Sequence, residues 1–157
     1  MASPAIAVDH VTNAQPPKLF VKMSNIFLKV ALRTPLAKAI QPLAVVSFSG
    51  RRSGRPISVV VGWHSLEGTR VVFTPAPWRV NFSGSALASV RHLNQPRLLT
   101  GRLITDPTQV ADALNRVIDA GTSPKALALR IPKGHLVTPT DVVAVNRAMV
   151  QFRPVSD

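Results

Sequence analysis

The sequence predicts a small β-barrel of the α+β class, and three observations lead there. Between Leu43 and Thr74, runs rich in β-branched residues follow one another across short turns. Two more runs, Ala86 to Leu93 and Leu98 to Thr105, form a hairpin, and Ala148 to Arg153 closes the set at about six strands. Helical periodicity is confined to the flanks of these strands. A chain of 157 residues, 46% of them hydrophobic, can build one complete core, so a single barrel domain is expected over 35–157.

Met1 to Pro17 is small, polar and proline-bearing without periodicity, and reads as a flexible tail over 1–17. From Lys18 the pattern changes. Leu19, Phe20, Met23, Ile26, Phe27 and Val30 recur at helical spacing, with Lys18, Lys22, Lys29 and Arg33 on the other side. This predicts an amphipathic basic helix over 18–34. Two readings fit it: its apolar stripe packs on the barrel, or it lies in a membrane interface where lysines meet acidic lipid.

Leu43 to Ser49 is the first strand and Pro56 to His64 the second. Ser65 to Thr69 reads as a turn, and Arg70 to Thr74 as the third strand of an antiparallel meander. Pro75 to Phe82 is a crossing, with a helical turn starting at Pro77. The hairpin that follows turns at Asn94-Gln95-Pro96. Asp106 and Pro107 are an N-cap and a first helical residue, opening a helix that stops at Gly121, and Ser123-Pro124 begins another short one.

Formal net charge is +12, and its distribution is informative. From His10 to Thr105 there are thirteen basic residues and one acid, Glu67, whereas basic and acidic residues balance in the rest. Such a field attracts phosphate-bearing cofactors, acidic lipid or nucleic acid without choosing among them. The chain has no Cys, which excludes disulfides, thiolate metal sites and a thiol nucleophile, and no Tyr, which excludes a phenol as proton donor. No stretch reaches the length of about 20 apolar residues that a spanning helix needs, and no cleavage pattern of a secretory signal is present. A cytoplasmic protein is expected. No nucleic-acid motif accompanies the charge, and the six Phe and two Trp form no stacking row.

Two features carry chemistry. Gly50-Arg51-Arg52-Ser53-Gly54 lies between the first two strands, with Arg55 just beyond. The glycines let the backbone reverse, exposed amides of such a turn can face an anion, and the arginines add forked donors for phosphate or carboxylate. The alternative is a merely solvated hairpin tip. The second feature is Trp78-Arg79-Val80-Asn81 on the crossing. Its Trp can wall a flat ring while its neighbours bond polar edges, or it can plug the barrel end while Asn81 caps a turn. His64, His92 and His135 are the candidate proton donors, none of them singled out by its neighbours.

The order of a Gly-Arg-Arg-Ser-Gly turn, a strand pair, Trp78-x-x-Asn81 and a further hairpin resembles the deazaflavin-dependent nitroreductase family, within the flavin/deazaflavin oxidoreductase group. The likeness runs from about Leu43 to Thr105. It implies a six-stranded antiparallel split β-barrel with peripheral helices, homodimeric in much of the wider group, and a deazaflavin, coenzyme F420, in a basic groove. It would put Arg51, Arg52, Ser53 and Gly54 near the cofactor phosphate and acidic tail, with Trp78 and Asn81 on the adjoining wall; Gly50 and Arg55 complete the set. The implied activity is hydride transfer between the cofactor and a small organic acceptor, the cofactor bringing the difficult chemistry. FMN would use the same phosphate site. A non-catalytic carrier of either cofactor is the alternative, because members that reduce quinone-like or nitro substrates often place tyrosines near the substrate and this chain has none.

Overall fold

The computed structural model describes residues 11–13, 43–93 and 95–155. The basic helix expected over 18–34, and its membrane contact, lie outside the described residues. No helix among those described is long and apolar enough to cross a membrane.

The strands are β1 (Thr12–Asn13), β2 (Leu43–Ser49), β3 (Pro56–Gly62), β4 (His64–Leu66), β5 (Thr69–Thr74), β6 (Ala86–His92), β7 (Gln95–Ile104), β8 (Leu129–Arg130) and β9 (Ala148–Pro154). Among the described residues, two α-helices, α1 (Pro107–Asp119) and α2 (Pro139–Ala144), and two 3-10 helices, Pro77–Phe82 and Pro124–Leu127, lie between them. Seven strands form one antiparallel sheet in the order β3-β2-β6-β7-β9-β5-β4.

The two ends of that order, β3 and β4, are consecutive in the chain and joined by Trp63 alone. A flat sheet cannot satisfy this, so the sheet curls until its edges meet, giving a split β-barrel of the α+β class. The same junction explains why there are seven strands rather than six. The run from Pro56 to His64 pairs with β2 on one side of Trp63 and with β5 on the other, so it counts twice. Gly62 sits at this corner, where a Cβ would come within 2.9 Å of His64 Nε2.

Inward and outward residues alternate along the strands as the pleat requires. Ala44, Val46, Phe48, Val72, Val90, Leu99, Val150 and Phe152 fill the barrel with Trp63 and Phe82. Val71, Phe73 and Met149 face the other way, against Val110, Leu114 and Val117 of α1 and Val142 of α2. Phe82 comes from the crossing and is fully buried between Gly101 and Phe152, closing one end of the barrel. Each such side chain contributes about 1.5–3 kcal/mol by leaving water.

Turns are tighter than the sequence suggests. Leu66 pairs with Thr69, so the expected turn from Ser65 to Thr69 shrinks to Glu67 and Gly68, both at positive φ (51° and 79°), the geometry of a two-residue hairpin. Gln95 and Pro96 pair with His92 and Arg91 and belong to β7. The Asp106 carboxylate accepts the Thr108 amide at 3.0 Å, and α1 ends before Gly121 as expected. Thr12–Asn13 pair with Leu129–Arg130, and Val11 is buried; the rest of the segment expected as a tail over 1–17 lies outside the described residues.

A buried arginine fastens the helical layer to the barrel. Arg147 donates to the carbonyls of Phe73 (3.1 Å), Leu127 (2.9 Å) and Ala128 (3.0 Å). Burial lowers its pKa to about 10, which leaves it charged at neutral pH.

Candidate functional site

The arginine turn is built by its own backbone. The Gly50 amide donates to the Arg55 carbonyl at 2.8 Å, and the Gly54 amide donates to the Gly50 carbonyl at 2.9 Å. Gly54 has φ 68°, the left-handed region in which a side chain is strained. Gly50 is buried, and a Cβ there would meet Ser53 Oγ at 2.6 Å. That hydroxyl accepts the Arg55 amide at 3.2 Å. The amides of Arg52 and Ser53 have no partner among the described residues.

The crossing docks onto this turn through one side chain. Asn81 Oδ1 accepts the Arg51 amide at 2.7 Å, and Asn81 Nδ2 donates to the Trp78 carbonyl at 2.8 Å. Both features singled out in the sequence thus meet. Asn81 does more than cap its own turn, because the bond to Arg51 spans thirty positions of the chain. Trp78 is half-buried, its ring 5.9 Å from those of Phe48 and Phe82. Arg79 turns to a different task, donating to the Thr74 carbonyl (3.0 Å) and to the carbonyl and Oδ1 of Asn146 (2.6 and 3.1 Å).

Between turn and crossing runs a groove of about 620 Å³. Gly50, Arg51, Arg52, Ser53 and Asn81 line it; Gly54, Arg55 and Trp78 adjoin it without lining it. Ile57 and Val80 form its apolar part. Neither is singled out as a site residue by the sequence: Ile57 falls within the second strand, and Val80 stands only as a member of the Trp78-Arg79-Val80-Asn81 crossing. Val80 is 53% exposed, beside the two arginines. Among the described residues, no carboxylate lines the groove, and Arg51, Arg52 and Arg55 have no ion-pair partner. Free amides, unpaired guanidinium groups and an apolar wall are the donor set of an anion attached to a flat or greasy body.

None of the three candidate histidines lines this groove. His64 is buried, and burial, followed by the nearby Arg147 charge, lowers its pKa to about 4, so it is neutral at pH 7. His92 donates from Nδ1 to the Leu43 carbonyl at 3.0 Å. His135 Nε2 lies 2.7 Å from Asp141, the carboxylate that also caps α2.

No protein-family model matches the chain, and no curated protein matches it. Among solved structures, a domain-swapped dimer is similar with a TM-score of 0.50 at 10% identity, covering 85% of this chain and 98% of that one. A pyridoxamine 5'-phosphate oxidase-related, FMN-binding protein from Nostoc punctiforme gives 0.49 at 12% identity, covering 90% and 83%. A conserved hypothetical protein from Mycobacterium tuberculosis gives 0.48 at 13% identity, covering 85% and 82%. At these identities the likeness is one of fold.

Proposed function

We propose that the protein binds a phosphate-bearing hydride carrier, a deazaflavin of the coenzyme F420 kind or else FMN, and exchanges a hydride between it and a small organic acceptor. The observation that carries this reading is the docking of Asn81 onto the Arg51 amide, which sets a cationic turn against an apolar wall in one groove. The amides of Arg52 and Ser53, with the Arg51 and Arg52 guanidinium groups, would hold the phosphate; Arg55 adds charge for an acidic tail. Ile57 and Val80 would exclude water from one side of the bound group, and Trp78 stiffens the wall through Phe48. The bound cofactor supplies the hydride chemistry, so the protein needs only to bind, orient and shield it. A carrier without turnover is the second reading, favoured by a groove that, among the described residues, no histidine or carboxylate lines and by a chain without tyrosine. Pairing of two copies, as the domain-swapped neighbour's description suggests for that protein, belongs to this proposal as well.

Calorimetric titration with F420 and with FMN tests it. Saturable micromolar binding of either supports the reading, and its absence for both sinks it. Arg51→Ala with Arg52→Ala should weaken that binding by about 2–4 kcal/mol, because two charge-assisted hydrogen bonds to the phosphate disappear. Mixing the reduced cofactor with quinone, nitro and enone acceptors then separates enzyme from carrier.

A further inference from the structure

Among the described residues, the barrel's second end is open and differently built. β2 runs away from the arginine turn for about 20 Å at ordinary strand rise, and at its Leu43 end lies a cavity of about 340 Å³, inside the size range of small-molecule pockets, about 300–1,000 Å³. Its floor is apolar: Trp63, Val90, Leu99 and Phe152, all buried. Its rim carries Arg70, Arg97 and His92.

The pleat sets both arginines on the barrel-facing side of their strands, at its exposed rim. Arg70 stands opposite Phe152 and two positions before Val72, and Arg97 stands opposite Val90 and two positions before Leu99. Positions that elsewhere along the same strands hold core side chains therefore hold two cations at this mouth. Among the described residues, no acid lines the cavity and neither arginine has an ion-pair partner. The nearest acid in sequence, Glu67 beside the lining Gly68, is engaged by Arg116 instead. The Trp63 ring lies 5.2 Å from that of Phe152 and 6.3 Å from that of His92, an aromatic floor beneath two forked donors.

The geometry points to a second ligand site here, distinct from the arginine turn, that takes a small aromatic carboxylate. The ring lies on the indole floor and the carboxylate is received by Arg70 and Arg97 in charge-assisted bonds. It does not depend on the cofactor reading of the turn.

Salicylate and its uncharged relative benzamide are the probes, followed by the Trp63 indole N–H signal in two-dimensional NMR of the full chain. Salicylate should shift that signal saturably with a Kd of about 1 mM or tighter. Benzamide should bind at least about tenfold more weakly. Arg70→Gln with Arg97→Gln should cost salicylate about tenfold or more, whereas Arg51→Ala with Arg52→Ala should leave its affinity alone. Arg97→Gln by itself, at an exposed rim position, gives the same reading if the double variant does not fold. An unmoved Trp63 signal, equal binding of benzamide, or wild-type affinity after removal of the arginines would each overturn the proposal.

Discussion

Replacing Asn81 by Ala removes two bonds at once, the 2.7 Å acceptance from the Arg51 amide and the 2.8 Å donation to the Trp78 carbonyl. Neither is deeply buried, so each is worth about 1 kcal/mol net, for a loss of about 2 kcal/mol. In a domain of this size that lowers Tm by about 4–8 °C. Asn81→Asp separates the two bonds: it keeps the acceptor for Arg51, strengthened by its charge, and sets a second acceptor oxygen in place of the donor to the Trp78 carbonyl. Thermal unfolding followed by circular dichroism should rank wild type above N81D and N81D above N81A. Anion affinity at the turn should fall in N81A, because the Arg51 amide is no longer held in place. A Tm for N81A within about 1 °C of wild type, or N81D no better than N81A, would refute the idea that Asn81 fastens crossing to turn.

Gly101→Ala should destabilise by about 1–3 kcal/mol in urea titration, because the new Cβ would lie 2.6 Å from the Phe82 ring, which cannot retreat from the closed barrel end. Arg147→Met should cost about 3 kcal/mol or more, since the carbonyls of Phe73, Leu127 and Ala128 lose their donor; chemical denaturation measures it. His64 makes stability depend on pH. Its folded pKa of about 4 lies below the unfolded value of 6.5, so the unfolded chain binds the extra proton between them. Stability is complete above pH 6.5 and declines as pH falls towards 4, by about 3 kcal/mol from this group. Urea titrations at several pH values should show that slope, and His64→Gln should flatten it.

The strands were legible because β-branched residues crowd into them: Leu43–Ser49 is found as expected. Helix α1 was legible for a different reason, an N-cap aspartate, a following proline and a terminating glycine. The break at Trp63 was not, because the apolar run continues straight through it and only the pairing partner changes, a long-range fact. Helix α2 escaped notice although Thr138 and Asp141 form a full capping box, since six residues are too few to show a period. At the candidate site, the arginines and glycines announced the turn. That Asn81 would reach Arg51, and that Ile57 and Val80 would stay beside the groove, depends on how the crossing lies across the barrel, which no local pattern encodes.

Trp63 and Trp78 are the chain's two tryptophans, and the barrel separates them: one lines the Leu43 end, the other adjoins the arginine turn. With no tyrosine anywhere, emission excited at the long-wavelength edge of indole absorption, where the six phenylalanines do not absorb, belongs to these two rings alone. A chain retaining only Trp78 would report quenching by a ring-bearing cofactor at the turn; one retaining only Trp63 would report occupancy of the opposite mouth. The fold thus carries one optical reporter per end, so that filling of either site can be watched while the other is occupied.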